Sequence, residues 1–138
     1  MLDHVVEMCR LQMSLGRGFI FEHPLRPSSG YQKSLAELMQ DARVWTVEVH
    51  MCAYGLKSVD QQGEGLVMKP TRISTSIEPV AHLLKGRCTG DHPHVHLVCG
   101  KAKGAAAYST KFCETILKGI DFWLKHRKNG SVLGSVEQ

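Results

Sequence analysis

The segment from Val44 to Met51 constrains the fold most. Trp45, Val47, Val49 and Met51 alternate with Thr46, Glu48 and His50. A period of two puts the apolar set on one face of a strand and the polar set on the other. Such a strand needs a sheet to pair with and a layer of helices to cover its apolar face.

Helical patterns supply that layer. Leu2, Val5, Val6, Cys9 and Met13 follow a 3.6-residue period, so residues 2–15 read as a helix that Gly16 stops. Phe19, Ile20 and Phe21 form a short apolar run, expected to be a strand over 18–22 that His23 and Pro24 end. After a loop at 25–30, Ser28 or Ser29 would cap a helix reaching Asp41. The stretch 58–65 reads as a polar, glycine-containing loop, with short strands at 66–68 and 72–75. Ser76 would cap a helix over 78–85, and 86–104 is irregular. A long helix is expected over 109–127, with Cys113, Ile116, Leu117, Ile120 and Leu124 on its apolar period. Helices alternating with strands predict an α/β fold, a mixed sheet flanked by helices. Residues 1–130 read as the domain and 131–138 as a flexible tail.

Composition narrows the setting. No apolar run approaches the ~20 residues of a membrane span, and the N-terminus has no secretion signal. Five cysteines (9, 52, 88, 99 and 113) are odd in number and scattered. They read as reduced thiols in a nuclear or cytoplasmic protein. A formal charge of +4 and a pI near 8.9 are compatible with DNA without requiring it. Basic residues gather at 118–128 and at Lys85, Arg87, Lys101 and Lys103, a pattern that solvated surface also produces.

Three groups of residues could carry chemistry. Glu22 and His23 follow the apolar run, and a carboxylate just past a buried strand lies where α/β sheets place ligands. Cys52, Tyr54 and Gly55 follow the alternating strand, and Lys69, Thr71 and Arg72 come later with phosphate-binding side chains. Cys88, His92, His94, His96 and Cys99 fall within twelve residues. Thiolate and imidazole are zinc donors, and Cys88, His92, His94 and Cys99 form the set of choice. The spacing is not that of a common finger, and a polar loop with histidines meeting water and Asp91 is the alternative.

The order GFIFEHP, VEVHMCAYGL, KPTRISTS, CTGDHPHVHL and YSTKFCETILKGI resembles a domain of retroelement and mobile-element polyproteins that is similar to cytosine-5 DNA methyltransferases. The resemblance covers roughly residues 5–121. It implies a partial Rossmann-like methyltransferase fold, its C-terminal half only. It also implies a catalytic role for Glu22 on the target base, with Cys52, Tyr54, Gly55, Lys69, Thr71 and Arg72 near the substrate cleft. The family's cofactor is S-adenosylmethionine and its nucleophile a Pro-Pro-Cys thiolate. This chain has no Pro-Pro-Cys and no strand, glycine loop and helix before Glu22. It carries Gly30 where relatives tend to have tryptophan, and Ser76 where they tend to have asparagine. Without the thiolate no covalent adduct forms. The resemblance therefore implies a truncated, inactive remnant that needs no cofactor alone. It also implies a partner chain supplying the missing half, or self-association through an exposed strand edge. The alternative is a nucleic-acid-binding module stabilised by zinc.

Overall fold

The computed structural model describes residues 2–24, 31–60, 63–95 and 108–127. In chain order these form α1 (Leu2–Ser14), β1 (Ile20–Pro24), α2 (Lys33–Met39), β2 (Trp45–His50), a 3₁₀ turn (Met51–Tyr54), β3 (Lys57–Asp60), β4 (Gly63–Leu66), β5 (Pro70–Thr75), α3 (Glu78–Leu83) and α4 (Thr110–His126). The α/β character expected from the alternation is present. The sheets differ from the expectation: both are antiparallel, one three-stranded in the order β1-β5-β2, the other a β3–β4 hairpin. In place of a loop over 58–65, the chain pairs Lys57 with Leu66 and Asp60 with Gly63.

β5 is the central strand because both neighbours pair with it along its length. Ile73 lies opposite Glu22 on one side and Val47 on the other. Alternation along β5 sends Thr71, Ile73 and Thr75 to one face and Arg72 and Ser74 to the other. Ile73 joins Val49, Met51, Val67, Ile77, Val80, Leu84 and Phe112 in the larger core, beneath α3 and α4. The second core lies between α1 and α2, where Val6, Cys9, Leu35 and Leu38 meet Phe19 and Val44. Burial pushes the Cys9 thiol upward in pKa.

Local signals explain several ends. Gly16, at φ +74°, closes α1, with the Arg17 amide donating to the Gln12 carbonyl at 2.8 Å. Ser109 caps α4 by accepting from the Phe112 amide at 3.1 Å. Ser76 does not cap α3. Its hydroxyl accepts from the Phe19 amide at 3.0 Å, while Thr75 Oγ1 accepts from the Ile77 amide at 2.9 Å. α2 starts at Lys33 behind Gln32, without a side-chain cap. His23 and Pro24 belong to β1 rather than ending the strand before them. Pro24 is tolerated as the last residue of an edge strand.

α4 is turned relative to the expected face. Phe112 and Gly119 are buried, and Ile116, Ile120 and Trp123 pack on the core, whereas Cys113, Leu117 and Leu124 are exposed. Apolar residues on both sides of this helix let two stripes fit the period. Gly119 decides between them, because it admits α3 at close range: a Cβ there would lie 2.8 Å from the Val80 Cα. The tail at 131–138, Lys101, Lys103, His96 and Cys99 lie outside the described residues.

Candidate metal centre

Four side chains converge from two parts of the chain. Cys52 comes from the 3₁₀ turn after β2, and Cys88, His92 and His94 come from the segment after α3. One donor atom from each lies within 4.8 Å of every other. Cys88 Sγ is 3.3 Å from His94 Nε2 and 3.6 Å from His92 Nε2, and the two Nε2 atoms are 3.1 Å apart. Tetrahedral zinc, with bonds of about 2.0–2.3 Å, separates its ligands by roughly 3.3–3.8 Å. The three spacings among Cys88, His92 and His94 are close to that, and Cys52 Sγ lies within 4.8 Å of each.

Hydrogen bonds to backbone groups set Cys88 and His94 in place. His50, at the end of β2, donates its amide to the Gly86 carbonyl at 2.8 Å, and its Nδ1 accepts from the Cys88 amide at 2.9 Å. Since Nδ1 accepts, His50 Nε2 carries the proton and donates it to Glu48 at 3.1 Å. That bond, and then Arg87 at 3.5 Å, holds the Glu48 carboxyl below its usual pKa. Tyr54 adds a third tie, its hydroxyl accepting from the Gly86 amide at 3.0 Å. His94 is held from the other side by a bridge to Leu66 and by the Val95 amide donating to the Leu66 carbonyl at 2.8 Å. The hairpin absent from the sequence reading therefore positions a ligand.

The surrounding polar groups suit a cation. His92 Nδ1 lies 2.8 Å from Asp91, whose carboxylate also accepts from Thr89 Oγ1 at 2.6 Å. These bonds, Thr89 first and His92 next, hold the Asp91 carboxyl below its usual pKa. With its Nδ1 proton given to Asp91, His92 presents a bare lone pair at Nε2 toward the cysteines. The Gly90 amide donates to Cys88 Sγ at 3.4 Å, a contact that favours thiolate. Cys52 is buried, and desolvation followed by the neighbouring Cys88 pushes its thiol up to about 11. Its charge is unfavourable until a cation compensates it. Four protein donors leave no open position, which is the arrangement of structural rather than catalytic zinc.

The remaining residues singled out in the sequence fall elsewhere. Cys52, placed by the resemblance near a substrate cleft, stands among the metal donors, while Cys99 lies outside the described residues. Glu22 lies in the middle of β1, opposite Ile73, rather than past a strand end. It accepts from the Tyr108 hydroxyl at 2.8 Å. Burial first, and then Glu22, raises that phenol to about 12. His23 is buried in the sheet, its Nε2 3.1 Å from Ser74 Oγ and its ring stacked on Phe21. Gly55 provides a left-handed turn at φ +79°. Thr71 is buried and donates to the Lys69 carbonyl at 3.1 Å. Lys69, itself at φ 38°, sets its ammonium 5.3 Å from the Tyr108 ring centre, and Arg72 lies 5.6 Å from that of Tyr31. The eleven residues other than Cys99 thus divide between the metal centre, the Tyr54–Gly55 turn, the sheet interior and edges at Tyr108 and Tyr31. No helix among the described residues is long and apolar enough to cross a membrane. No known family model, curated protein or solved structure matches the chain.

Proposed function

We propose that the chain is a zinc-stabilised α/β module that binds nucleic acid. The observation that carries this reading is the convergence of the Cys52, Cys88, His92 and His94 donor atoms. Zinc would be held by two thiolates and two neutral imidazoles, and would cross-link the turn after β2 to the segment after α3. Two small antiparallel sheets leave that segment with few backbone partners of its own, so a metal would contribute much of its order. Reduced thiols in a nuclear or cytoplasmic setting fit such ligation.

The nucleic-acid part rests on charge and on cations beside aromatic rings. The net charge is +4, and Lys69 and Arg72 stand beside Tyr108 and Tyr31. Such pairs suit phosphate and base together. The test is fluorescence anisotropy of labelled single-stranded DNA and RNA with zinc-replete protein, between about 50 and 200 mM salt. The expected result is binding whose logarithm falls linearly with the logarithm of salt concentration. No binding at the lowest salt would remove this reading.

A second reading follows the motif order: descent from a cytosine-5 methyltransferase-like domain, without methyl transfer of its own. Glu22 and Lys69, two residues that the resemblance places at a substrate cleft, both reach Tyr108, which favours it. The absence of a Pro-Pro-Cys thiolate accounts for inactivity. Methyl transfer from S-adenosylmethionine to DNA by the isolated chain would contradict it.

A further inference from the structure

A cleft of about 400 Å³ lies where the end of α1, the start of β2 and the last turn of α4 meet. Its size falls in the range of about 300–1,000 Å³ of small-molecule sites. The residues lining it include Trp45 and Trp123, the chain's only two tryptophans, with Arg17, Arg43 and Arg127. The sequence places them there for separate local reasons. Gly16 ends α1 and releases Arg17, Arg43 and Trp45 flank the entry to β2, and Trp123 lies in the last turn of α4, four residues before Arg127 at its C-cap.

The charges in the cleft do not cancel. Asp41 binds Arg43 at 2.8 Å, is approached by Arg10 at 3.6 Å, and among the described residues is the only carboxylate paired with any of the three lining arginines. Arg127 lies with its guanidinium carbon 4.1 Å from the Trp123 ring centre and donates to the Gly16 carbonyl. Three guanidinium groups against one carboxylate leave an excess of two positive charges. Arg17 is exposed, and among the described residues its guanidinium has no hydrogen-bond or ion-pair partner; neither does either indole N–H. Ser76, also in the lining, accepts from the Phe19 amide at 3.0 Å and keeps its hydroxyl proton to donate. The C-terminal ends of α1 and α4 bring partial negative charge of about half a unit each. The Gly16 carbonyl is covered by Arg127, so the guanidinium charge prevails.

Half-buried indole faces favour a planar ring, and uncompensated guanidinium groups favour an anion. A base that carries phosphate meets both demands. Bases within a duplex are stacked on each other, so the ligand must have an unpaired base. We infer that this cleft seats a nucleotide unit, with its base against the Trp45 indole, beside the Arg127-covered Trp123, and its phosphate on Arg17. The inference rests on the nucleic-acid reading above and gives it a location.

Because both tryptophans line the cleft, their emission reports on it alone. Zinc-replete full-length protein is titrated at low salt with oligothymidylate, with thymidine monophosphate and with inorganic phosphate, following tryptophan emission and, for labelled oligonucleotide, anisotropy. Oligothymidylate is expected to quench the emission as it binds. Arg17→Glu, at an exposed position with no partner to lose, is expected to weaken binding about tenfold and lower the salt slope by about one. Its melting temperature, unchanged from the parent, shows that folding is intact. Quenching by the monophosphate at similar concentration identifies a free nucleotide as the ligand, and quenching by the oligonucleotide alone identifies a strand; either supports the cleft. Oligonucleotide binding with no change in emission and no effect of Arg17→Glu would overturn the cleft and leave the nucleic-acid reading in place. No binding of any probe would overturn both.

Discussion

His92 Nδ1 lies 2.8 Å from the Asp91 carboxylate, so the Nε2 of the same ring faces Cys88 as a bare lone pair. A carboxylate behind a metal-binding imidazole fixes its tautomer and raises its basicity, and losing it typically weakens metal binding 10–100-fold. Asp91→Asn is expected to weaken zinc binding by about that factor, measured by competition with a chromophoric chelator. Unchanged affinity would mean that His92 is not a ligand.

Tyr54 links the metal centre to α4. Its ring meets Phe112 edge to face at 5.5 Å, and its hydroxyl accepts from the Gly86 amide at 3.0 Å. Tyr54→Phe keeps the packing and leaves that amide without its partner. The expected cost is about 1 kcal/mol in urea unfolding of the zinc-replete protein. A larger fall in zinc affinity than in stability would show that Gly86 also steers Cys88.

Gly119 is where α4 rests on Val80. The added methyl of Gly119→Ala would meet the Val80 Cα at 2.8 Å and its amide nitrogen at 2.9 Å. Backbone cannot turn aside as a flexible side chain does, so α3 and α4 must separate. The expected destabilisation is about 1–3 kcal/mol, against the gain of about 1 kcal/mol that alanine usually brings to a helix interior. Chemical denaturation gives the sign directly.

Acid should weaken the turn before β2. Asp41 accepts from the Arg43 side chain and amide and is approached by Arg10, contacts that hold its carboxyl well below the usual range. A lowered carboxyl pKa contributes stability above the unfolded value of about 4, and that stability is lost as pH falls further. These charges are near the surface, so the contribution is about 1 kcal/mol at most. Asp41→Asn is expected to melt a few degrees below the parent at pH 7, with the gap narrowing as pH falls from about 4 toward 2. A gap of unchanged size at pH 2 would assign the effect to something other than charge.

Local signals were readable in the sequence where they depend on neighbours. The alternation of Trp45 to Met51 marked β2, Gly16 the end of α1 and Ser109 the start of α4. What failed depends on distant partners. Nothing within residues 58–65 shows that Lys57 will pair with Leu66, since Gly63 and Gly65 carry no side chain for an alternating pattern. Both apolar stripes of α4 fit its period, and only the close approach of Val80 to Gly119 selects one. The metal centre was half legible: Cys88, His92 and His94 stand close together, while Cys52 reaches them only because His50 pins residues 86 and 88 to the end of β2. The arginine and tryptophan cleft left no local mark, as its residues come from three elements.

The most direct test is the zinc content, by elemental mass spectrometry, of protein purified without chelator or affinity metal, for the parent, Cys52→Ser and Cys99→Ser. About one zinc per chain is expected in the parent and in Cys99→Ser, and loss of it in Cys52→Ser. No zinc in the parent, or zinc kept by Cys52→Ser, would contradict the proposed metal centre.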